Sequence, residues 1–375
     1  MVVEPTPLRV EFPLQPGLIY LNHAGVAPLP RRSARIMTEL ATHMTQHGAA
    51  RYRELDAACE KARQSCARLL GVATGQVAFV PNTSEGLSFV GLGIDWHSGD
   101  EIVTTDQEFP SNIVIWLDLA RRHGLRVHRV PSGTDGRVDA SALLERVTAR
   151  TRVLAVSSVQ FGTGAVVDLA RIGAELRSTS TLFVVDGIQS LGLLPLYPAE
   201  VGIDALCADG HKWLLGPEGC GLLYLSAKGL EQIQPRVLGW HSVANAGDYQ
   251  NIIIEPRADC RRFEAGSPNI LGAAALGESI DLLLEVGIDV VRARVHGLVV
   301  ALVRGLRDLG CVIHTPLAAD GFPDAGILVF SHPALPTATL HRELLARNIY
   351  HAQRGVGVRF SPHFYQDATD VALAL

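Results

Sequence analysis

One lysine of this chain stands where an uncharged amine is favoured. Lys212 lies in DALCADGHKWLLGPEGCGLLYLS, after one apolar strand and before a glycine-rich turn and a second apolar strand. Burying a charged ammonium among apolar residues is costly, so the pKa of this lysine should fall. An amine of lowered pKa can attack a carbonyl carbon and form an imine. The sequence therefore predicts that Lys212 is a reactive amine.

The other lysines have ordinary surroundings. The chain has only three, because nearly all of its positive charge is arginine. Lys61 lies on the amphipathic segment DAACEKARQSCARLL, and Lys228 lies in a polar turn after YLSA. At such places a lysine extends its ammonium into solvent. Chemistry that needs a lysine is therefore expected at Lys212.

A carboxylate ends a neighbouring strand of the same kind. Asp186 is the last residue of the apolar run TLFVVD, and Gln189 follows three positions later. A lone aspartate here commonly caps a helix. At the edge of a parallel sheet, where ligands bind, it could instead pair with a protonated heterocyclic nitrogen. Pyridoxal 5′-phosphate (PLP) needs such a carboxylate as well as a lysine for its aldehyde.

Small polar residues predict an anion site. Thr83 and Ser84, in VPNTSEGLSFVGLG, follow a strand and open a helix. Backbone N–H groups and hydroxyls at such a helix start bind anions, although a plain N-cap has the same sequence. Together with Lys212 the pair is interpreted as the phosphate site of PLP. Asp209 and His211 could add donors to it or order it.

Alternating strands and helices must position these residues. After helices between residues 28 and 70, short apolar strands alternate with helical stretches, which predicts an α/β fold with a mostly parallel central sheet and helices on both faces. After about residue 256 a smaller α+β domain is expected. The predicted division is an N-terminal segment 1–20, a large PLP-binding domain 21–255 and a small C-terminal domain 256–375. The predicted strands are 76–80, 101–105, 125–130, 152–158, 181–186, 204–209, 221–226, 326–331 and 356–361.

Composition excludes several function classes. Of the 375 residues, 47% are apolar and 19% are charged, and the net charge of −5 predicts neither a nucleic-acid nor a membrane partner. No signal peptide or membrane span is predicted. The six cysteines are scattered without a CxxC pair, which predicts a cytoplasmic protein. No cluster has metal-ligand spacing, so no metal is expected.

The motifs NTSEG, VVDGIQS, DGHKWLLGPEGCG and RRFEAGSPN occur in this order. Together they resemble the class V aminotransferase family of fold-type-I PLP enzymes, which includes cysteine desulfurases, kynureninase and isopenicillin N epimerase. The resemblance spans residues 20 to about 365. It implies the PLP-dependent transferase fold, an amino-acid substrate and a homodimer with sites at the subunit interface.

The resemblance also gives roles to residues around the cofactor. Lys212 would hold PLP as a Schiff base and shuttle the α-proton, and Asp186 would pair with the pyridine nitrogen. Phe109, in DQEFPSN, would stack on the ring. The remaining cofactor contacts would be Gln189 and Gln160 at the ring hydroxyl, Thr83, Ser84 and His211 at the phosphate, Asp209 beside them, and Ser267 reaching the phosphate of the other subunit.

Fewer residues are implied for the substrate. Arg359, in VGVRFSPHFY, would hold the substrate carboxylate in a bidentate fork. Asn22 and His23, in YLNHAGVAP, match a segment near the substrate, although a structural role suits His23 equally. Trp240, in VLGWHS, would line the pocket mouth unless it only packs.

Two departures from the desulfurases bear on the reaction. Phe109 stands where desulfurases usually have a histidine, and in this respect the chain resembles kynureninase. Desulfurases carry a nucleophilic cysteine shortly before the carboxylate-binding arginine. The corresponding stretch here, LLARNIYHAQRGVGVRF, contains no cysteine, and Cys311 upstream of it fits a core position. The sequence thus argues against persulfide-forming desulfuration. It favours another lyase, with C–S or other Cβ cleavage of an L-amino acid. An epimerase, an aminotransferase and a non-catalytic PLP-binding sensor remain as alternatives.

Overall fold

The computed structural model describes residues 8–375, and its centre is a seven-stranded sheet. The strands follow the order β2-β8-β7-β6-β5-β3-β4, and only β8 runs antiparallel to its neighbours. Their bounds are β2 Val77–Val80, β3 Glu101–Thr105, β4 Arg126–Val130, β5 Thr151–Ser157, β6 Leu182–Asp186, β7 Ala205–Asp209 and β8 Gly221–Leu225. The sequence-based expectation of a mostly parallel central sheet is therefore confirmed.

Both faces of this sheet are buried. Along β5, Leu154 and Val156 pack into one apolar core, whereas Val153 and Ala155 pack into the other. Side chains alternate between the faces of a strand, so an unbroken apolar run fits a strand covered on both sides. This is why the buried strands have apolar sequences and end in polar residues.

Helices cover the two faces. The α-helices are α1 Arg31–His47, α2 Tyr52–Leu70, α3 Thr83–Gly93, α4 Ser111–His123, α5 Ala140–Leu144, α6 Leu169–Leu176, α7 Pro198–Val201, α8 Ala227–Gln232, α9 Ile270–Val286, α10 Ile288–Asp308, α11 Thr337–Ala346 and α12 Ala368–Ala374. The long helix α9 packs against α1 and α2. None of the helices between residues 8 and 375 combines the length and the apolar character needed to cross a membrane.

A smaller antiparallel sheet lies in the C-terminal part of the chain. Its four strands follow the order β12-β13-β10-β9. The bounds are β9 Val312–Ile313, β10 Leu328–Ser331, β12 Ala352–Arg354 and β13 Gly357–Phe360. The expected smaller α+β region is therefore present, whereas its boundary at residue 256 and the segment 1–20 stay predictions, the latter partly outside the described residues.

The segment after β1 joins distant parts of the chain. Strand β1 (Ile19–Tyr20) pairs in parallel with β11 (Ile349–Tyr350). Further on, the N–H of His23 donates to the carbonyl of Ser361, and the N–H of Ala27 donates to the carbonyl of His211. Residues 19–27 thus connect the C-terminal region with the loop that carries Lys212.

Candidate active site

The strands β5, β6 and β7 run in parallel, so their carboxyl ends meet at one edge of the sheet. A cavity of about 390 Å³ opens there, within the range of small-molecule sites. Nine of the residues predicted from the sequence line it, namely Thr83, Ser84, Phe109, Asp186, Gln189, Asp209, His211, Lys212 and Arg359. The fold therefore brings together residues that are far apart in the sequence.

Lys212 is buried at this edge. Only 9% of the residue is exposed, and Trp213 after it is completely buried. Burial lowers the pKa of Lys212 to about 8, although the negative charge of Asp186 opposes the shift. The turn before it needs a glycine, because a Cβ on Gly210 would lie 2.7 Å from the carbonyl oxygen of Cys220. The lowered pKa predicted from the apolar surroundings thus has a structural cause.

Asp186 is a buried carboxylate with few partners. Its Oδ1 accepts a hydrogen bond from the backbone N–H of Ile188 at 3.0 Å, and no described cation forms a salt bridge with it. Burial raises its pKa to about 7, against the opposing effect of that hydrogen bond. A carboxylate in this situation is stabilised by a cationic ligand.

Two helix starts and a histidine form the polar end of the cavity. The hydroxyls of Ser84, in α3, and Ser111, in α4, are hydrogen-bonded at 2.6 Å. Thr83 accepts a hydrogen bond from the N–H of Asp209 at 2.9 Å. Asp209 turns its carboxylate aside, since Oδ1 accepts from the N–H of Gly210 and Oδ2 lies 2.9 Å from Nδ1 of His211. This His211 contact is an ion pair when the ring is protonated, not a directed hydrogen bond.

An aromatic ring covers another side. Phe109 is 39% exposed, and Nζ of Lys212 lies 5.6 Å from its ring centroid. Phe161 meets the ring edge-on at 5.0 Å between centroids. Phe109 thus presents an apolar face to the space beside the lysine, as a ring-stacking role requires.

Arg359 extends into the cavity from β13. Its Nη1 donates to the carbonyl of Phe161 at 2.9 Å, and Nη2 lies 3.4 Å from Oδ1 of Asn22. The residue is 1% exposed, and its Nε has no hydrogen-bond partner among the described residues. Burial lowers the pKa of Arg359, with repulsion by Arg354 adding to the effect. A buried guanidinium with so few acceptors favours an incoming carboxylate.

Gln160 lies apart from the cavity. It is completely buried, and its Nε2 donates to Oε1 of Glu108 at 2.9 Å. Glu108 also accepts from the N–H of Ser157 at 2.7 Å and from Nδ2 of Asn112 at 2.9 Å. Sequence patterns do not reveal this buried carboxylate, because its three partner residues are spread over residues 112–160. The predicted contact of Gln160 with the ring hydroxyl stays a prediction.

Four other predicted residues also lie outside the lining of this cavity, and one of them, Asn22, contacts Arg359. His23 is buried and bonded to the carbonyl of Ser361 and the hydroxyl of Tyr365, both at 2.8 Å, and burial lowers its pKa to about 4. This geometry matches the structural alternative. Trp240 and Ser267 each line a different cavity. Their assigned roles stay predictions, and that of Ser267 concerns another subunit.

The residues that line the cavity fit PLP. The buried amine of Lys212 suits an aldehyde, and the buried carboxylate of Asp186 forms no salt bridge with any cation between residues 8 and 375. The start of α3, with Asn82 and Thr83 in the cavity wall, suits a phosphate. The unpartnered Nε of Arg359 calls for an anionic ligand in addition. The side chain of Gln189 already forms two hydrogen bonds within the protein. Its Nε2 donates to the carbonyl of Ala24, and its Oε1 accepts from the indole N–H of Trp213.

Comparison with known proteins identifies the family. The family model described as Aminotransferase class-V matches residues 19–356. The chain belongs to the class-V aminotransferase family. A probable cysteine desulfurase of Pyrococcus abyssi is 28% identical over 88% of this chain and 82% of that protein. An isopenicillin N epimerase of Streptomyces clavuligerus is 30% identical over 75% of this chain and 73% of that protein.

Solved structures agree with this family. The apo cysteine desulfurase of Thermococcus onnurineus is similar, with a TM-score of 0.88 and 25% identity over 99% of this chain and 96% of that one. The cystine C–S lyase C-DES, complexed with its reaction product cysteine persulfide, has a TM-score of 0.87 and 27% identity over 95% and 97%. A C-DES mutant with glycine linked to PLP has a TM-score of 0.90 and 27% identity over 98% of both chains. This class-V protein is a PLP-dependent enzyme.

One sequence-based expectation is wrong. The missing cysteine before Arg359 argued for a lyase outside the desulfurases. Similarity along nearly the whole chain instead connects it with cysteine desulfurases and a cystine C–S lyase. The lack of a cysteine in that one loop was a poor guide to the type of lyase, because the groups that act on the α-proton surround Lys212 and not that loop.

Proposed function

We propose that this class-V enzyme is a desulfurase-type lyase that cleaves the carbon–sulfur bond of L-cysteine or a cysteine derivative. The observation that carries the proposal is a single cavity with a buried amine (Lys212), a buried carboxylate (Asp186) and a buried guanidinium (Arg359). The similar cysteine desulfurases and the cystine lyase support a sulfur-containing substrate.

Each of the three residues has a separate task. When bound, PLP supplies an electron sink for negative charge at the substrate α-carbon. Lys212 binds the aldehyde and later accepts the α-proton at Nζ, for which a pKa near 8 is suitable. Asp186 provides a negative charge for the pyridine nitrogen. Arg359 holds the substrate carboxylate and so fixes which bond at the α-carbon is aligned for cleavage.

The test uses the PLP-loaded protein with L-cysteine and L-cystine. Products are identified by mass spectrometry, together with an assay for sulfide and persulfide. With an added thiol as the sulfur acceptor, we expect alanine and the persulfide of that thiol from cysteine. From cystine, without added thiol, we expect pyruvate, ammonium and a persulfide. The Lys212→Ala variant should lose this activity, whereas Lys61→Ala should keep it, because Lys61 forms a surface ion pair with Glu278.

Other products would contradict the proposal. An intact amino acid inverted at its α-carbon, without sulfur release, would indicate an epimerase, the activity named for the Streptomyces relative. A full-length keto acid would indicate an aminotransferase. A shift of the cofactor's absorption without any product would indicate a PLP-binding sensor.

We also propose a homodimer. Segment 237–254 exposes large apolar side chains, and contiguous apolar surface of this kind favours association. Its exposed members are Val237, Leu238, Trp240, Tyr249, Ile252 and Ile254. An Ile252→Glu, Ile254→Glu variant should shift the mass measured by analytical ultracentrifugation from dimer to monomer. An unchanged mass would exclude this segment as the interface.

A cytoplasmic location is proposed on the state of the thiols. All six cysteines are free, and five of them are buried. Free thiols are typical of a reducing compartment. Fractionation of cells that express the full-length protein should recover it with cytoplasmic markers, and recovery in a secreted or membrane fraction would contradict the proposal.

A further inference from the structure

A second arginine shares the cavity with Arg359. Arg354 ends β12 and lines the same cavity as Lys212. Its Nη1 donates to the backbone carbonyl of Gln353 at 2.8 Å, and it forms no salt bridge with any described carboxylate.

Strand register gives the spacing of the two arginines. In the β12–β13 hairpin, Ala352 is opposite Arg359 and Arg354 is opposite Gly357. Opposite residues of an antiparallel pair project to the same face, and so do residues two apart on one strand. Arg354 and Arg359 are therefore diagonal neighbours on one face, a relation in which residues are about 7–8 Å apart and their Cβ atoms somewhat closer.

No described carboxylate forms a salt bridge with either arginine of this pair, although Asp186 and Asp209 line the same cavity. Asp209 is engaged by Gly210 and His211, and Asp186 lies opposite the site proposed for the cofactor nitrogen. Burial is the main cause of the lowered pKa of Arg359, and Arg354 lowers it further by repulsion. Two neighbouring arginines that form no salt bridge with a described carboxylate favour a ligand that carries two anionic groups.

We infer that Arg354 recognises a second, distal carboxylate, so the preferred substrate is a cysteine derivative whose sulfur carries an acidic group. This inference rests on the proposed C–S lyase function. Arg359 would hold the α-carboxylate of the reacting half, and Arg354 the acidic group beyond the sulfur. In cystine the two carboxylates are separated by the chain Cα–Cβ–S–S–Cβ–Cα, which can span a diagonal pair of side chains.

The reaction balances without an external oxidant or reductant. The α-proton passes to Nζ of Lys212, and the Cβ–S bond breaks with its electron pair on sulfur. The leaving half departs as a hydropersulfide, R–S–SH, after it gains a proton. Water converts the remaining three-carbon fragment into pyruvate and ammonium.

The test compares two mixed disulfides of L-cysteine. One carries 3-mercaptopropionate, with a distal carboxylate, and the other carries 2-mercaptoethanol, with a neutral hydroxyl. The PLP-loaded enzyme should cleave the acidic disulfide with a kcat/KM at least about tenfold higher than that for the neutral disulfide. One charge-assisted hydrogen bond contributes a factor of this size. In Arg354→Gln this ratio should fall to about one, and Arg354→Lys should restore part of it. Arg342→Gln, at an exposed position of α11 outside the cavity, should keep the wild-type ratio.

A binding measurement decides the matter even without turnover. We would titrate 3,3′-dithiodipropionate, which keeps both carboxylates and the disulfide but lacks an amine, by calorimetry. Arg354→Gln should weaken its binding about tenfold or more. Equal binding by both proteins, or an unchanged ratio between the two disulfides, would overturn the inference. A weaker affinity for PLP alone in this variant would do the same, because Arg354 would then serve the cofactor. Failure to cleave any cysteine derivative would instead count against the proposed function.

Discussion

Replacing Asp186 by asparagine should stabilise the cofactor-free protein at pH 8. Burial raises the pKa of this carboxyl from 3.8 to about 7, so at pH 8 the folded chain contains a buried charge. A shift of about 3 units corresponds to a cost of about 4 kcal/mol in the free energy of unfolding. Because the folded pKa lies above the unfolded one, the cost is complete above pH 7 and absent well below pH 4. At pH 5 it should amount to only about 2 kcal/mol.

The assay is urea unfolding of the cofactor-free protein, followed by the fluorescence of its four tryptophans. The gain of Asp186→Asn over the wild type should be clearly larger at pH 8 than at pH 5, because the buried carboxyl of the wild type is mostly charged only at the higher pH. Asparagine keeps an acceptor for the N–H of Ile188, so the substitution does not remove that hydrogen bond. Asp204→Asn is the matched control. Asp204 accepts from the N–H of Phe183 and pairs with Lys228, so its replacement should destabilise the protein. An Asp186→Asn variant less stable than the wild type at pH 8, or a gain independent of pH, would refute the reasoning.

Three further predictions concern other parts of the chain. Borohydride treatment of the PLP-loaded enzyme should leave a phosphopyridoxyl group on Lys212 and on neither other lysine, as peptide mass spectrometry would establish. Arg359→Lys should raise the KM for the amino-acid substrate about 10- to 100-fold with a smaller change in kcat, because lysine cannot form the bidentate contact; an unchanged KM would contradict the role. Glu264→Ala should lower the free energy of unfolding by about 3–5 kcal/mol, because it removes the buried carboxylate that lies 2.6 Å from the guanidinium of Arg63 and leaves this cation with only the half-exposed Glu60 as an acidic partner. Urea titration measures this loss, and a change below about 1 kcal/mol would contradict it.

Local patterns account for what the sequence predicted well. The strand ending at Asp186 and the strand ending at Asp209 are apolar on both faces, so their positions and parallel packing follow from composition alone. The position of Lys212 between apolar segments predicted a buried amine, and only 9% of the residue is exposed. Residues at strand ends converge because parallel strands place those ends at one edge.

Features that depend on side-chain direction could not be predicted. Gln160 follows a strand end like Gln189, but it turns inward to Glu108. Trp240 lies near the family motifs in sequence, but its ring packs near Tyr249 in a separate cavity. The position of Arg354 beside Arg359 depends on the register of a hairpin, and a shift by one residue would turn it to the other face.

The pairing of residues 19–27 with distant partners has a kinetic consequence. Their hydrogen bonds reach His211, the strand Ile349–Tyr350 and Ser361, so forming them closes loops of nearly two hundred to more than three hundred residues. Contacts between such distant residues form slowly, and during synthesis they must wait until almost the whole chain has emerged. The cavity wall at Ala24 and Gly25 is therefore completed late in folding, and the newly made chain gains its full capacity to bind PLP only after its C-terminal sheet has assembled.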